Sequence, residues 1–418
     1  MKRAPISASS VAGPVLGQIL RASALAWTIF AANACSKEGA PLGPPDSYVV
    51  YEPGGAADPA GAALPSFREV KLEDPRAVPI HRSTMDGFLG ELLRTDYLAK
   101  QLIRDGWRGK PFAAPARARA TEPTVLVLAG ARMARPDEAK LGIGFSTPGT
   151  FGRVQPHADA MWIETGDDPV SDPAFVQTAS GRVARLIAER VAGAADVPGG
   201  TPGASLARGL IDGYALAMEV IGREWRVGEG PQGTLPPSAG TGTQRERFAG
   251  VRGNAFVFTG TDQSALRPGT EMLTEPGVVA AVLYRMAQSP GIGRKVAPPE
   301  IYAPFVGERV PKGVSPAAVL GPIRNFQVKL LCAWAGAILA GRPPRDIVDL
   351  ITAYGETLPA ERSDAYRILV VTTYGATVKA GGVSPRPADA NASLAELTAL
   401  SAEVAAGRRT LRQGLGSK

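Results

Sequence analysis

Histidine and cysteine each occur only twice in 418 residues, and aromatic side chains make up 6% of the chain. With only His81 and His157, a three-histidine metal centre is excluded and little room is left for histidine-based acid–base catalysis. With only Cys35 and Cys332, zinc sites built from several thiolates are excluded. The common catalytic and nucleotide-binding signatures are also missing: no H-E-x-x-H, no Walker loop, no G-x-S-x-G and no C-x-x-C. No cofactor is therefore expected. No repeat of fixed period is visible, which argues against solenoids and propellers.

Acidic residues are absent from the first 37 positions, and Glu38 is the first. Lys2, Arg3 and Arg21 are the only charges before it apart from Lys37. Residues 1–35 hold three cations and no anion, so without them the net charge falls from +7 to +4, ordinary for a globular domain. Arg108, Lys110, Arg117, Arg119, Arg132 and Arg135 cluster in sequence. No regularly interleaved aromatics accompany them, so a solvated face is expected rather than a nucleic-acid groove.

Within the acid-poor lead, the apolar run Ala22 to Ala34 covers 13 residues and stops directly at Cys35. At 1.5 Å per residue it spans about 20 Å of helix, short of the roughly 30 Å of a bilayer core. Cleavage fits better than spanning. Ala32-Asn33-Ala34-Cys35 places small side chains at the first and third positions before the cut. The segment resembles the signal peptide of a bacterial lipoprotein, with residues 1–34 as signal peptide and Cys35 as the site of lipid attachment. Ala32 and Asn33 stand where that pattern usually has Leu and then Ala or Ser. By the same resemblance, Ser36 in place of Asp implies an outer-membrane destination, facing the periplasm or the surface. The lead also fits an ordinary secretory signal or a mitochondrial-type presequence. Residues 35–66 are rich in Pro, Gly and Ala and read as a tether, interrupted by a short strand at Tyr48–Tyr51.

From Phe67 onward the pattern predicts an α+β, predominantly helical fold: a mixed region over 67–227 with a small mixed sheet, then a mainly helical region over 244–418. Helices are expected over Ser83–Asp105, from Pro173 to Gly193, and from Ser205 to Trp225. Further helices are expected over Thr274–Ser289, Pro322–Ala340 and Asp346–Tyr354. Strands are expected at Thr124–Leu128, Ala160–Ile163 and Ala255–Phe258. Asp364–Ala380 reads either way, because Ile368 to Thr373 is β-branched enough for a strand. Ser393 and Glu396 form a capping-box pattern for a last helix. Lys329 interrupts the apolar stretch of Pro322–Ala340, which marks a core helix rather than a membrane span. Cys332, on that helix, is expected to be a small core residue.

The strongest constellation for chemistry is His157 and Asp159, with Glu164 and further carboxylates close behind in a loop-rich stretch. A histidine two residues from an aspartate places both on one face of a strand, where nearby carboxylates complete a metal site or orient the ring as a base. Against this, Asp and His in Gly/Pro-rich loops commonly satisfy backbone donors. Gly142-Ile143-Gly144 is a weaker candidate for a phosphate cradle. The expected function is a non-enzymatic binding or assembly component of the cell envelope, held at the membrane by its lipid and meeting a protein partner there. An exported hydrolase or metal-dependent enzyme centred on His157, and an organelle-targeted subunit of a large complex, remain the alternatives.

Overall fold

A computed structural model describes residues 48–53, 67–69, 88–122, 124–130, 160–165, 173–194, 207–227, 242–259, 265–306, 313–376 and 390–415. All of them lie in a unit that begins at Pro45. The described part is predominantly helical, as the periodicity predicts. Its longer helices are α1 (Phe88–Asp105), α3 (Pro173–Ala192), α4 (Arg208–Val227), α5 (Gly242–Gly253), α7 (Pro276–Gln288), α11 (Pro322–Leu339), α12 (Ile347–Thr357), α13 (Arg362–Thr372) and α14 (Ala390–Ala405). Shorter ones are α2 (Ala114–Arg119), α6 (Gly269–Met272), α8 (Pro290–Gly293), α9 (Pro299–Val306), α10 (Pro316–Leu320) and α15 (Leu411–Gly414).

Strand content consists of backbone pairing between short segments. Tyr48–Pro53 (β1) runs parallel to Thr124–Gly130 (β3) and antiparallel to Phe67–Glu69 (β2), and β3 runs parallel to Ala160–Thr165 (β4). Phe258–Thr259 (β5) and Ala265–Leu266 (β6) form a separate antiparallel pair. Of the first four strands, the described side chains are confined to Thr124 at the start of β3, which is buried.

Helix boundaries follow local chemistry where a stop or cap is unambiguous. Gly106 ends α1 with a left-handed φ of +82°, and a Cβ there would lie 2.4 Å from the Lys110 carbonyl oxygen. Pro276 opens α7 at its first turn, and Asp346 caps α12 by accepting from the Asp349 N–H. Glycine also sets how closely helices approach. A Cβ on Gly209 of α4 would meet the Thr274 carbonyl oxygen at 2.2 Å, and one on Gly213 would meet the Val279 side chain of α7 at 2.3 Å.

At the level of elements, two sequence readings are corrected and one that was open is resolved. Ala255–Val257 is a 3₁₀ turn, and only Phe258–Thr259 is extended. The described part of Asp364–Ala380 is helical: α13 ends at Thr372 and a 3₁₀ turn follows at Tyr374–Ala376. Ser393 lies inside α14, which starts at Ala390, so it does not cap that helix.

The core is organised around α11, which packs against α1, α3, α7, α8, α9, α10 and α12. Nearly every residue from Arg324 to Ile338 is buried, on all sides of the helix. A helix with no solvent face has no place to expose polar side chains. Its four buried polar residues are therefore each paired: Arg324 with Glu91, Asn325 with Tyr302, Gln327 with Thr95, and Lys329 with Glu361. Among the described residues no helix is long and apolar enough to cross a membrane.

Candidate functional site

His157 and Asp159 lie outside the described residues, as do Cys35 and the glycines at 142 and 144. Glu164 is in β4, in register with Ala129 of β3. Arg108, Lys110 and Arg117 are exposed and Arg119 is half-buried, and Arg108 lies over the Trp107 ring at 5.4 Å and near Glu300 at 3.7 Å. Arg132 and Arg135 fall outside the described residues. Cys332 is fully buried and unbridged, with its thiol pushed well up by burial, which makes it an inert core residue. Among the described residues no group of three His, Cys, Asp or Glu side chains is placed to hold a metal ion.

Two ionic clusters occupy the interior. In the first, Asp96 of α1 accepts from Arg190 Nε of α3 at 3.0 Å and from the Thr124 hydroxyl, while Lys100 Nζ is 3.7 Å away and donates to the Glu122 carbonyl at 2.6 Å. Burial works against the ionised form of Asp96. Arg190, Lys100 and Thr124 outweigh it and hold the carboxyl below its ordinary range.

In the second cluster, Lys329 is fully buried and directs three protons to three acceptors: Ile292 O at 2.8 Å, Lys295 O at 2.5 Å and Glu361 Oε1 at 2.7 Å. An ammonium has three donors, so the group is saturated. Glu361 Oε2 accepts from the Tyr354 hydroxyl at 2.5 Å. Beside it, Tyr302 donates to Asn325 Oδ1 at 2.8 Å, and Asn325 Nδ2 donates to Gly293 O at 2.8 Å and Lys295 O at 3.0 Å. Burial lowers the Lys329 pKa, and Glu361 partly restores it. Both clusters are closed: their charged groups bond one another and the backbone carbonyls of the segments they join.

A third polar junction is different, because some of its hydrogen-bonding capacity is unused. Here α5, α7 and α13 meet. Asn254 follows α5 in a left-handed conformation (φ 60°), and its Nδ2 donates to Thr372 O at 2.7 Å. Arg285 of α7 donates from Nη1 to Thr372 Oγ1 at 3.0 Å. Tyr374 is also left-handed (φ 52°), packs its ring 5.8 Å from Phe258, and lies near enough to Arg285 to act on its charge. Left-handed backbone at a tyrosine is costly and is found where the surroundings impose it.

Arg285 is half-buried and has no carboxylate partner among the described residues. Arg190 and Arg324, which are buried, pair with Asp96 and Glu91, and the part-buried Arg267 pairs with Glu271 and Glu275. Burial lowers the Arg285 pKa. Asn254 Oδ1 is buried without a hydrogen-bond partner. Sequence reasoning does not find this junction: Asn254 and Thr372 are 118 residues apart, and none of the three residue types is conspicuous alone.

Buried and half-buried tyrosines make stability depend on pH at the alkaline end. Burial raises the pKa of Tyr214, Tyr284, Tyr302, Tyr354 and Tyr366, that of Tyr284 to about 12. Above about pH 10 the unfolded chain ionises these phenols while the folded chain keeps them protonated, so their contribution to stability is lost as pH rises. Lys329 acts oppositely, because its lowered pKa favours folding as pH climbs toward its ordinary 10.5. Five tyrosines outweigh one lysine. The urea midpoint is expected to fall between pH 9 and pH 11 at constant ionic strength, and a flat or rising midpoint would contradict this assignment.

No protein-family model, no curated protein and no solved structure matches this chain.

Proposed function

We propose that the chain is a cell-envelope lipoprotein, acylated at Cys35, whose helical body works as a binding or assembly component rather than as an enzyme. The observation that carries this reading is the apolar run ending at Cys35. Several acyl chains on one cysteine give stable anchoring where a single chain gives only marginal binding. Tyr48, where β1 begins, follows Cys35 by 13 residues, a distance of at most about 45 Å when extended. On this reading the body stays close to the outer membrane, facing the periplasm or the surface, and meets a protein partner there.

Support for binding over catalysis comes from the interior. The charges of Asp96, Arg190, Lys329 and Glu361 are satisfied by bonds within the body, which suits a rigid scaffold better than acid–base work. The N-terminal half, in this proposal, contributes a small mixed sheet built on β1, β3 and β4, so the first element after the spacer is tied to the body.

The test is the intact mass and cell fraction of the native protein. The expected mature chain starts at an acylated Cys35 and sediments with outer membranes, and Cys35→Ala gives an unprocessed or unanchored product. Wild-type protein recovered from the cytosol with Met1 in place would refute the proposal.

A further inference from the structure

We propose that Arg285, Thr372 and Asn254 form a binding site for a small hydroxycarboxylate. The inference rests on reading the body as a binding module, and it names the ligand class. Three features of the junction carry it. The first is the guanidinium. Its Nη1 is engaged by Thr372, which leaves the edge formed by Nε and Nη2 without a partner among the described residues. That edge presents two parallel N–H groups at the spacing of a carboxylate's two oxygens, which is the arrangement arginine uses for planar anions. A half-buried guanidinium without an acid is a charge that an incoming anion can pair.

The second feature is Asn254 Oδ1, a buried acceptor with no donor. Native structures leave few such groups, and each one asks for a donor. A bare carboxylate has none. A hydroxyl next to the carboxylate supplies it, because Asn254 and Arg285 are tied to the same residue, one to the Thr372 carbonyl and the other to its hydroxyl. The Thr372 hydroxyl accepts from Arg285, and its own proton remains available for the ligand.

The third feature is the frame. Asn254 and Tyr374 are two of the three non-glycine residues with positive φ among those described, and both flank Thr372. Tyr374 and Phe258 are half-buried with their rings 5.8 Å apart, and Tyr374 is near enough to Arg285 to act on its charge. Strained backbone held at one place by converging helices is a means of fixing ligand-contacting groups in advance.

The test is calorimetric titration of the purified full-length protein with sodium glycolate, sodium acetate and sodium phosphate, each against sodium chloride at matched ionic strength. Glycolate is expected to bind saturably, about tenfold or more tightly than acetate, the difference being the hydroxyl bond to Asn254. Arg285→Gln is expected to weaken glycolate binding more than tenfold. Arg285→Lys, which keeps the charge and loses the two-pronged edge, is expected to restore only a small part. Arg208→Gln, which removes the same charge at an exposed position outside the junction, serves as the folded control and is expected to bind near wild-type strength.

Absence of saturable glycolate binding overturns the proposal. So does equal binding of acetate, or phosphate binding more tightly than glycolate, or binding that Arg285→Gln leaves intact. Membrane anchoring through Cys35 is read independently, by mass and fractionation, so failure of one result does not imply failure of the other.

Discussion

Lys329→Met is expected to destabilise the fold by about 3–5 kcal/mol, the usual cost of removing one partner from a buried ion pair. The variant keeps the volume of the side chain, so the loss is electrostatic rather than steric. It leaves Glu361 charged in the interior, with the Tyr354 hydroxyl as its remaining bond, and strips a donor from Ile292 O. The pair itself is not expected to be worth that much. Bringing both ions out of water costs several kcal/mol, which their attraction and three backbone and hydroxyl bonds roughly offset. Replacing the whole group, as Lys329→Met with Glu361→Met and Tyr354→Phe, should therefore recover most of the stability. Urea unfolding of the two variants tests both halves. A single-variant loss below about 1 kcal/mol, or a triple variant weaker than the single, would show that Lys329 is not a closed ion pair.

What the Lys329 cluster contributes beyond stability is placement. Lys329 and Asn325 on one helix hold the carbonyls of Ile292, Gly293 and Lys295, while Glu361 joins the same point to the turn before α13. Gly291-Ile292-Gly293-Arg294-Lys295, which in sequence looks like a helix exit and turn, is thus the segment that α11 grips by its backbone. A buried charge network specifies where α8, α11 and α13 meet more sharply than apolar contact would. The junction around Arg285 depends on that placement, because Thr372 lies at the end of α13.

Long periodic segments were legible in the sequence because one rule governs each of them. The apolar spacing in Phe88–Asp105, Pro173–Ala192 and Pro322–Leu339 gives helix at sight, and Gly106 ends the first and Pro322 opens the third by backbone geometry. Short or two-way segments were not. In Asp364–Ala380 the β-branched run from Ile368 to Thr373 suggests a strand, yet Leu369 and Val370 are buried on a helix. Tertiary packing decides there, not propensity. At Ala255–Phe258 four apolar residues fit a strand, yet the first three form a 3₁₀ turn and only Phe258 is extended.

The polar interior was harder to read. Lys329 stands out in sequence as an interruption, and that correctly argues against a membrane span. Its partner is 32 residues away, so the pairing appears only in three dimensions. The available signal is the apolar run Leu330 to Leu339 that follows Lys329, with Phe326 and Val328 before it: a lysine set among these is buried and needs an acid. Arg285 gives no such signal, since Tyr284 and Arg285 together read as the polar edge of an amphipathic helix. The histidine and carboxylates around His157 lie outside the described residues apart from the backbone of Glu164.

Trp334→Ala is expected to cost about 3–5 kcal/mol, the range for emptying the site of a large buried aromatic. Phe326, Leu330, Trp334 and Ile338 recur every four residues along α11, and the first three are at most 1% exposed. The mechanism differs from that at Lys329. Nothing charged is left behind. The loss is the transfer free energy of the indole plus the cavity that remains, and the cavity is large because α11 is held on all sides by seven other helices and cannot collapse inward. Trp334→Phe should cost distinctly less, since it keeps most of the ring. Urea unfolding measures both, and the fluorescence difference between wild type and Trp334→Ala should be blue-shifted and resistant to acrylamide. An indole that quenches freely, or a variant as stable as the wild type, would remove α11 from the centre of the fold.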